Sequence, residues 1–284
     1  MGKNPDNGKR KRPDIRSGAS DRIVRMELPV PLIADPRHSR EDLARWRQVE
    51  RTASVNVDLN AFRNRMTRAT TALVNFTGAG GCYAGVSWGK DSVVVADFVF
   101  RLCPRIPLVW VRVSPVENPD CFRVRDEFLK DRTGANYHEI VVDCPVDSHG
   151  YVLRGTLEEG FRRAGAKFGA RHISGIRGEE SATRAMRMNH WGESSKNTCA
   201  PIGSFDGIDV FTYLLSRGLP IHPAYAFTLD GALDPTRIRV ATIGCRDTDT
   251  ERGRRGDGHG RHEWEQRYYR DHIRSVGAGI PDAL

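Results

Sequence analysis

From Cys82 onward, short apolar runs alternate with longer segments whose apolar residues recur at three- and four-residue spacing. The pattern predicts strands at 82–87, 107–113, 137–143 and 172–176, with helices at 90–102 and 120–131. Pro104 and Pro107 mark the first helix-to-strand turn. Strands alternating with helices predict an α/β chain with a doubly wound, mostly parallel sheet and helices on both faces. Such sheets hold ligands beyond the carboxyl ends of their strands. The loop after the first strand and the segments after Val113 and Ile176 are therefore expected to border one site. Upstream, 40–50 and 60–74 have helical spacing with many charges and are expected to pack beside the sheet.

The loop joining the first strand to the first buried helix is Gly85-Val86-Ser87-Trp88-Gly89-Lys90-Asp91-Ser92. A helix beginning there directs free N–H groups and the positive end of its dipole outward, which favours an anion. Lys90 adds a positive charge, and the Ser87 and Ser92 hydroxyls add donors. The G-x-x-x-x-G-K-[ST] pattern is absent, because Asp91 follows the lysine and Gly85 and Gly89 lie one residue too close. The alternative is an ordinary strand-to-helix turn with a glycine and an N-cap serine.

Composition narrows the class. The chain has 284 residues, 39% of them hydrophobic and 28% charged, as in ordinary globular proteins. No apolar run has the length of a membrane-spanning helix, and no secretory signal is evident at the N-terminus. A net charge of +8 suits acidic partners without choosing among a nucleotide, a nucleic acid and an acidic protein. Lys9-Arg10-Lys11-Arg12 sits in a polar stretch expected to be a flexible tail, either solvated or touching nucleic acid. The six cysteines are scattered singly, which predicts a reduced, cytoplasmic protein without a disulfide framework. His259 and His262 near Cys245 suggest zinc, but their flexible, basic surroundings favour a surface loop, so no metal site is expected.

Ser87-Trp88-Gly89-Lys90-Asp91-Ser92 resembles the S-G-G-K-D-S pyrophosphate loop of the adenine-nucleotide alpha-hydrolase (PP-loop) superfamily. Within it, the chain is most similar to the phosphoadenosine phosphosulfate (PAPS) reductase family. Trp88 stands where that family has glycine, and a positive φ there would be strained. Gly175-Ile176-Arg177-Gly178-Glu179-Glu180-Ser181-Ala182-Thr183-Arg184 resembles the family's G-x-R-x-x-E-S-x-x-R segment. The resemblance implies that Ser87, Gly89, Lys90, Asp91, Ser92, Gly175, Arg177, Glu180 and Arg184 hold the nucleotide, with Lys90 and Arg177 catalytic. Guanidinium forks suit phosphate or sulfate oxygens, whereas Glu180 and Arg184 also form an ordinary i,i+4 surface pair. Asp209-Val210-Phe211-Thr212-Tyr213-Leu214 and Leu219-Pro220-Ile221-His222-Pro223-Ala224-Tyr225 resemble a further family stretch and read as architecture, with Asp209 in the first turn of a helix. Glu117-Asn118-Pro119-Asp120 matches the family's E-F-P-E-T only in part. These matches predict a basic tail at 1–20, a helical extension at 21–79, a PP-loop domain at 80–250 and a basic C-terminal tail at 251–284.

Ala241-Thr242-Ile243-Gly244-Cys245-Arg246-Asp247-Thr248 resembles the S-I-G-C-x-x-C segment of iron–sulfur members, with Thr248 in place of the second cysteine. An adjacent cysteine pair is absent as well, so no iron–sulfur cluster is expected. Cluster-free reductases need a thiol near the C-terminus, and Cys245 is the last cysteine of the chain. It reads either as that thiol or as a small structural residue. The resemblance thus leads first to an enzyme using ATP and Mg²⁺ to adenylylate an acceptor, in sulfur transfer or nucleic-acid modification. The alternatives are a thioredoxin-dependent PAPS reductase and a non-catalytic nucleotide- or DNA-associated protein. The acceptor and any homo-oligomer stay open.

Overall fold

The computed structural model describes residues 31–143, 156–243 and 261–277. In chain order it contains α1 (Arg40–Asn56), α2 (Asn60–Thr77), β1 (Cys82–Val86), α3 (Lys90–Leu102), β2 (Leu108–Ser114), α4 (Pro119–Lys130), β3 (Tyr137–Asp143), α5 (Thr156–Phe168), β4 (Arg171–Ile173), α6 (Ala182–Trp191), β5 (Thr198–Cys199), α7 (Gly207–Ser216), α8 (Arg261–Tyr268) and α9 (Arg270–Gly277). Two short 3₁₀ turns lie at Gly178–Glu180 and Pro223–Ala226.

The strands form one sheet in the order β3-β2-β1-β4-β5, and every neighbouring pair is parallel. The register sets Ala84 beside Leu108 and Val86 beside Trp110, which sends successive residues to opposite faces. Ala84, Val86, Leu108 and Trp110 enter the large core shared with α1, α2, α3 and α7, while Tyr83, Val109 and Val111 meet Ala164 of α5 on the other face. The central strands are apolar at consecutive positions because both faces are covered. This is the α/β, doubly wound parallel sheet that the alternating pattern predicts.

Two differences from the expected elements have clear causes. β4 ends at Ile173 instead of 176: the Ser174 N–H still donates to the Cys199 carbonyl at 2.9 Å, and Gly175 then passes against the start of α3. A Cβ on Gly175 would lie 2.9 Å from the Asp91 carbonyl carbon, so only glycine permits that approach. The second difference falls in the segment expected as a basic C-terminal tail. Within it, α8 and α9 bury Trp264, Tyr268, Tyr269 and Val276. Phe227 stacks on Tyr268 with centroids 4.3 Å apart, and the Trp264 indole N–H donates to the Phe227 carbonyl at 2.8 Å. Aromatic burial outweighs the basic character of the segment. At the other end of the chain, Ile33 N–H donates to the Ile221 carbonyl at 3.0 Å and Ile221 N–H to that of Pro31 at 2.7 Å. Both flanking segments therefore hold the chain around 221–227.

Candidate nucleotide site

β1 delivers the loop and α3 begins at its end, with Gly89 as the cap residue. Ser92 braces the turn: its hydroxyl accepts from the Ser87 N–H at 3.1 Å and donates to the Gly89 carbonyl at 3.0 Å. The Cys121 thiol donates to the Ser87 carbonyl at 3.4 Å and ties the loop to α4. Trp88 has φ of 61°, the left-handed region that the glycine comparison anticipates. Its side chain is fully buried, 5.5 Å from Phe128 and 5.6 Å from Tyr137 between ring centroids, with Trp110 edge-on at 6.4 Å. The aromatic nest offsets a backbone cost of roughly 1–2 kcal/mol.

The second segment meets this loop. Arg177 Nε donates to Asp91 Oδ1 at 2.7 Å, a Arg177 terminal nitrogen donates to Glu179, and the Arg177 N–H donates to Glu180 Oε2 at 3.1 Å. Lys90 Nζ lies 3.4 Å from Asp91 Oδ2 and donates to the Ile238 carbonyl at 3.3 Å. Lys90 and Arg177 are each only 3% exposed. Burial holds the Lys90 ammonium below the ordinary lysine pKa despite Asp91 and Glu180, with Arg177 adding to the depression. For Arg177, burial opposes the charge, but Asp91 and Glu179 keep its pKa above the usual value. Arg184 donates to Glu180, and Arg239 donates to the Glu180 carbonyl at 3.0 Å.

Ser87, Gly89, Lys90, Asp91, Ser92, Gly175, Arg177, Glu180 and Arg184 thus belong to one connected cluster at the carboxyl ends of β1 and β4. The Arg177 guanidinium bonds both Asp91 of the loop and Glu179 of its own segment, and that of Arg184 bonds Glu180. The motifs missed Tyr225 and Ile238. The Tyr225 hydroxyl accepts from the Lys90 N–H at 2.8 Å, and its ring lies 4.8 Å beneath the Lys90 ammonium. The family stretch ending in Tyr225 was the available signal, and it reads as architecture until the chain is folded.

Glu117 follows β2 at the same edge of the sheet. Burial pushes its carboxyl up to about 7 against the Val113 and Asn118 N–H groups. Three of the described thiols are unsuited to attack: burial pushes Cys82 and Cys121 up, and Cys199 up to about 12, while Cys103 caps the far end of α3 from the loop. Cys245, Thr248, His259 and the basic tail at 1–20 lie outside the described residues. Among the described residues, no group of three or more His, Cys, Asp or Glu side chains is placed to hold a metal ion. No described helix is long and apolar enough to cross a membrane.

The parallel order β3-β2-β1-β4-β5, with the 87–92 loop between β1 and α3 and the arginine segment after β4, makes this a doubly wound α/β sheet with both segments at its carboxyl edge. The chain is similar to two solved structures. One is the phosphoadenylyl-sulfate (PAPS) reductase of Candida auris in a phosphate complex, at 12% identity and a TM-score of 0.41, covering 61% of this chain and 87% of that one. The other is the U34-tRNA thiolase NcsA of Methanococcus maripaludis with its [4Fe-4S] cluster, at 15% identity and a TM-score of 0.39, covering 57% of this chain and 66% of that one. No protein-family description matches the chain, and no curated protein matches it.

Proposed function

We propose that this PAPS reductase-like chain is an enzyme that binds ATP at the Ser87–Ser92 loop and adenylylates an acceptor, releasing pyrophosphate. The observation that carries the reading is the Lys90 ammonium, buried at the first turn of α3 with its pKa depressed. A cation held out of water at a helix N-terminus is stabilised by an anion placed there. Lys90 and the loop N–H groups would hold the pyrophosphate portion, while Arg177 fixes the loop through Asp91. Arg184, through Glu180, steadies the segment that carries Arg177.

In the reaction, a nucleophilic atom of the acceptor bonds to the α-phosphorus as the α–β bridging bond breaks. Pyrophosphate leaves with the electron pair, and the acceptor's proton passes to solvent. Such a transfer depends on positioning and charge stabilisation more than on a protein nucleophile. A cleft of about 330 Å³, lined in part by Gly178, Glu179 and Asp206, adjoins the segment that carries Arg177. Magnesium enters in this reading with the nucleotide, held by its phosphates. Both Asp91 oxygens already face Arg177 or Lys90, so the loop's carboxylate offers no ready cage and no step is assigned to the metal.

A PAPS reductase reaction would depend on Cys245, since three of the four described thiols are buried with raised pKa. Calorimetric titration with ATP·Mg²⁺, PAPS and adenosine phosphosulfate tests the assignment in wild type, Lys90→Met and Arg177→Lys. The expected result is ATP binding that both variants weaken. Equal heats from all three proteins would refute the site, and binding of PAPS alone would favour the reductase.

A further inference from the structure

The first turn of α3 has a partner that the loop motif does not supply. The Lys90 N–H, one of the free donors on which anion binding by a helix N-terminus depends, points at the Tyr225 hydroxyl oxygen at 2.8 Å. That oxygen lies against the loop backbone: a Cβ added to Gly89 would stand 3.1 Å from it. The ring cannot swing aside. Tyr225 is 1% exposed, packs edge-on against Phe211 at 5.5 Å and against His222 at 6.1 Å, and carries the Lys90 ammonium over its face.

The hydroxyl has a donor left over. Burial pushes the Tyr225 pKa well above the ordinary phenol value, with Asp91 adding to the shift, so the group keeps its proton. Among the described residues that proton has no acceptor, and a buried donor without an acceptor is costly.

We infer that Tyr225 is a ligand-binding residue of the loop, its hydroxyl accepting from the Lys90 N–H and donating to an oxygen of a bound pyrophosphate or nucleotide phosphate. The inference rests on the nucleotide reading of the loop. In this arrangement the phenol extends the α3 N-terminus by one hydrogen bond and brings its reach to the oxyanion. A hydroxyl that merely capped the helix would instead compete with the anion for the Lys90 N–H.

The test is calorimetric titration of the full chain with inorganic pyrophosphate, ATP·Mg²⁺ and adenosine, in wild type and Tyr225→Phe. A hydrogen bond to a charged group contributes about 1.5–3 kcal/mol, so Tyr225→Phe should bind pyrophosphate and ATP roughly 10- to 100-fold more weakly. Adenosine affinity should stay the same, a separation that general loosening of the site would not produce. Unchanged or tighter pyrophosphate binding by Tyr225→Phe would overturn the inference and mark the hydroxyl as a cap. Wild type that binds neither pyrophosphate nor ATP would overturn the nucleotide reading itself. Should Tyr225→Phe fail to fold, 3-fluorotyrosine placed at 225 keeps the ring and makes the hydroxyl a stronger donor. It should tighten pyrophosphate binding, and no change or a loss would overturn the inference.

Discussion

Replacing Trp88 by alanine and by glycine separates the two energies that meet at that residue. Both changes empty the space between Trp110, Phe128 and Tyr137, where the indole is fully buried. Removing a buried aromatic side chain costs about 3–5 kcal/mol, so both variants should be much less stable than wild type. They differ in the backbone. With φ at 61°, alanine keeps the left-handed penalty of roughly 1–2 kcal/mol while glycine loses it. Glycine's greater unfolded-chain entropy takes back about 0.5–1 kcal/mol. Trp88→Gly should therefore be more stable than Trp88→Ala by up to about 1.5 kcal/mol, the reverse of their usual order in regular structure. Urea unfolding followed by far-ultraviolet circular dichroism measures the difference. Trp88→Ala equal to or more stable than Trp88→Gly would refute the strain assigned to this position.

Lys90→Met should raise the melting temperature while weakening ATP binding, because the folded protein disfavours the buried ammonium; a lower melting temperature would contradict the depressed pKa. Gly175→Ala should cost about 1–3 kcal/mol and weaken ATP binding, since its Cβ would press on the Asp91 backbone at 2.9 Å; thermal melts with calorimetry check both. Burial lowers the His222 pKa from 6.5 to about 3, with Asp120 opposing the shift and Arg37 and Arg123 assisting it. Below about 6.5 the unfolded chain binds a proton that the folded chain refuses, so the His222 contribution should fall with decreasing pH toward 3, by about 1.4 kcal/mol per unit for that one proton, while Glu117, held up to about 7, contributes the opposite slope between 7 and 4.5. The urea-derived stability of wild type should therefore fall relative to that of His222→Asn as pH drops from 6.5 to 5, with Glu117 and the other histidines common to both proteins and Asp120, whose folded pKa is lowered, adding its own loss only at lower pH.

The parts of the fold visible in the sequence are those fixed by local pattern. Helix α3 begins at Lys90 and ends at Leu102 as its apolar run predicts, and the Trp88 strain follows from a bulky residue at a glycine position. β5 escaped because two residues carry no periodicity. α8 and α9 escaped because arginines mask the apolar face formed by Trp264, Tyr268 and Val276. Tyr225 escaped for another reason: its contact with Lys90 joins residues 135 positions apart, and no local pattern encodes that distance. Likewise the glycine at 175 is visible as a motif residue, but its purpose depends on Asp91 passing beside it.

The stacking of Phe227 on Tyr268 has a consequence for how the protein is made. The loop at 87–92 leaves the ribosome well before the aromatic residues that brace the turn carrying Tyr225. A nascent chain stopped before Trp264 holds the parallel sheet's sequence and both motifs but lacks the Trp264 and Tyr268 contacts to Phe227. Translation order thus leaves the turn that carries Tyr225 without its Trp264 and Tyr268 braces until well after the 87–92 loop has emerged.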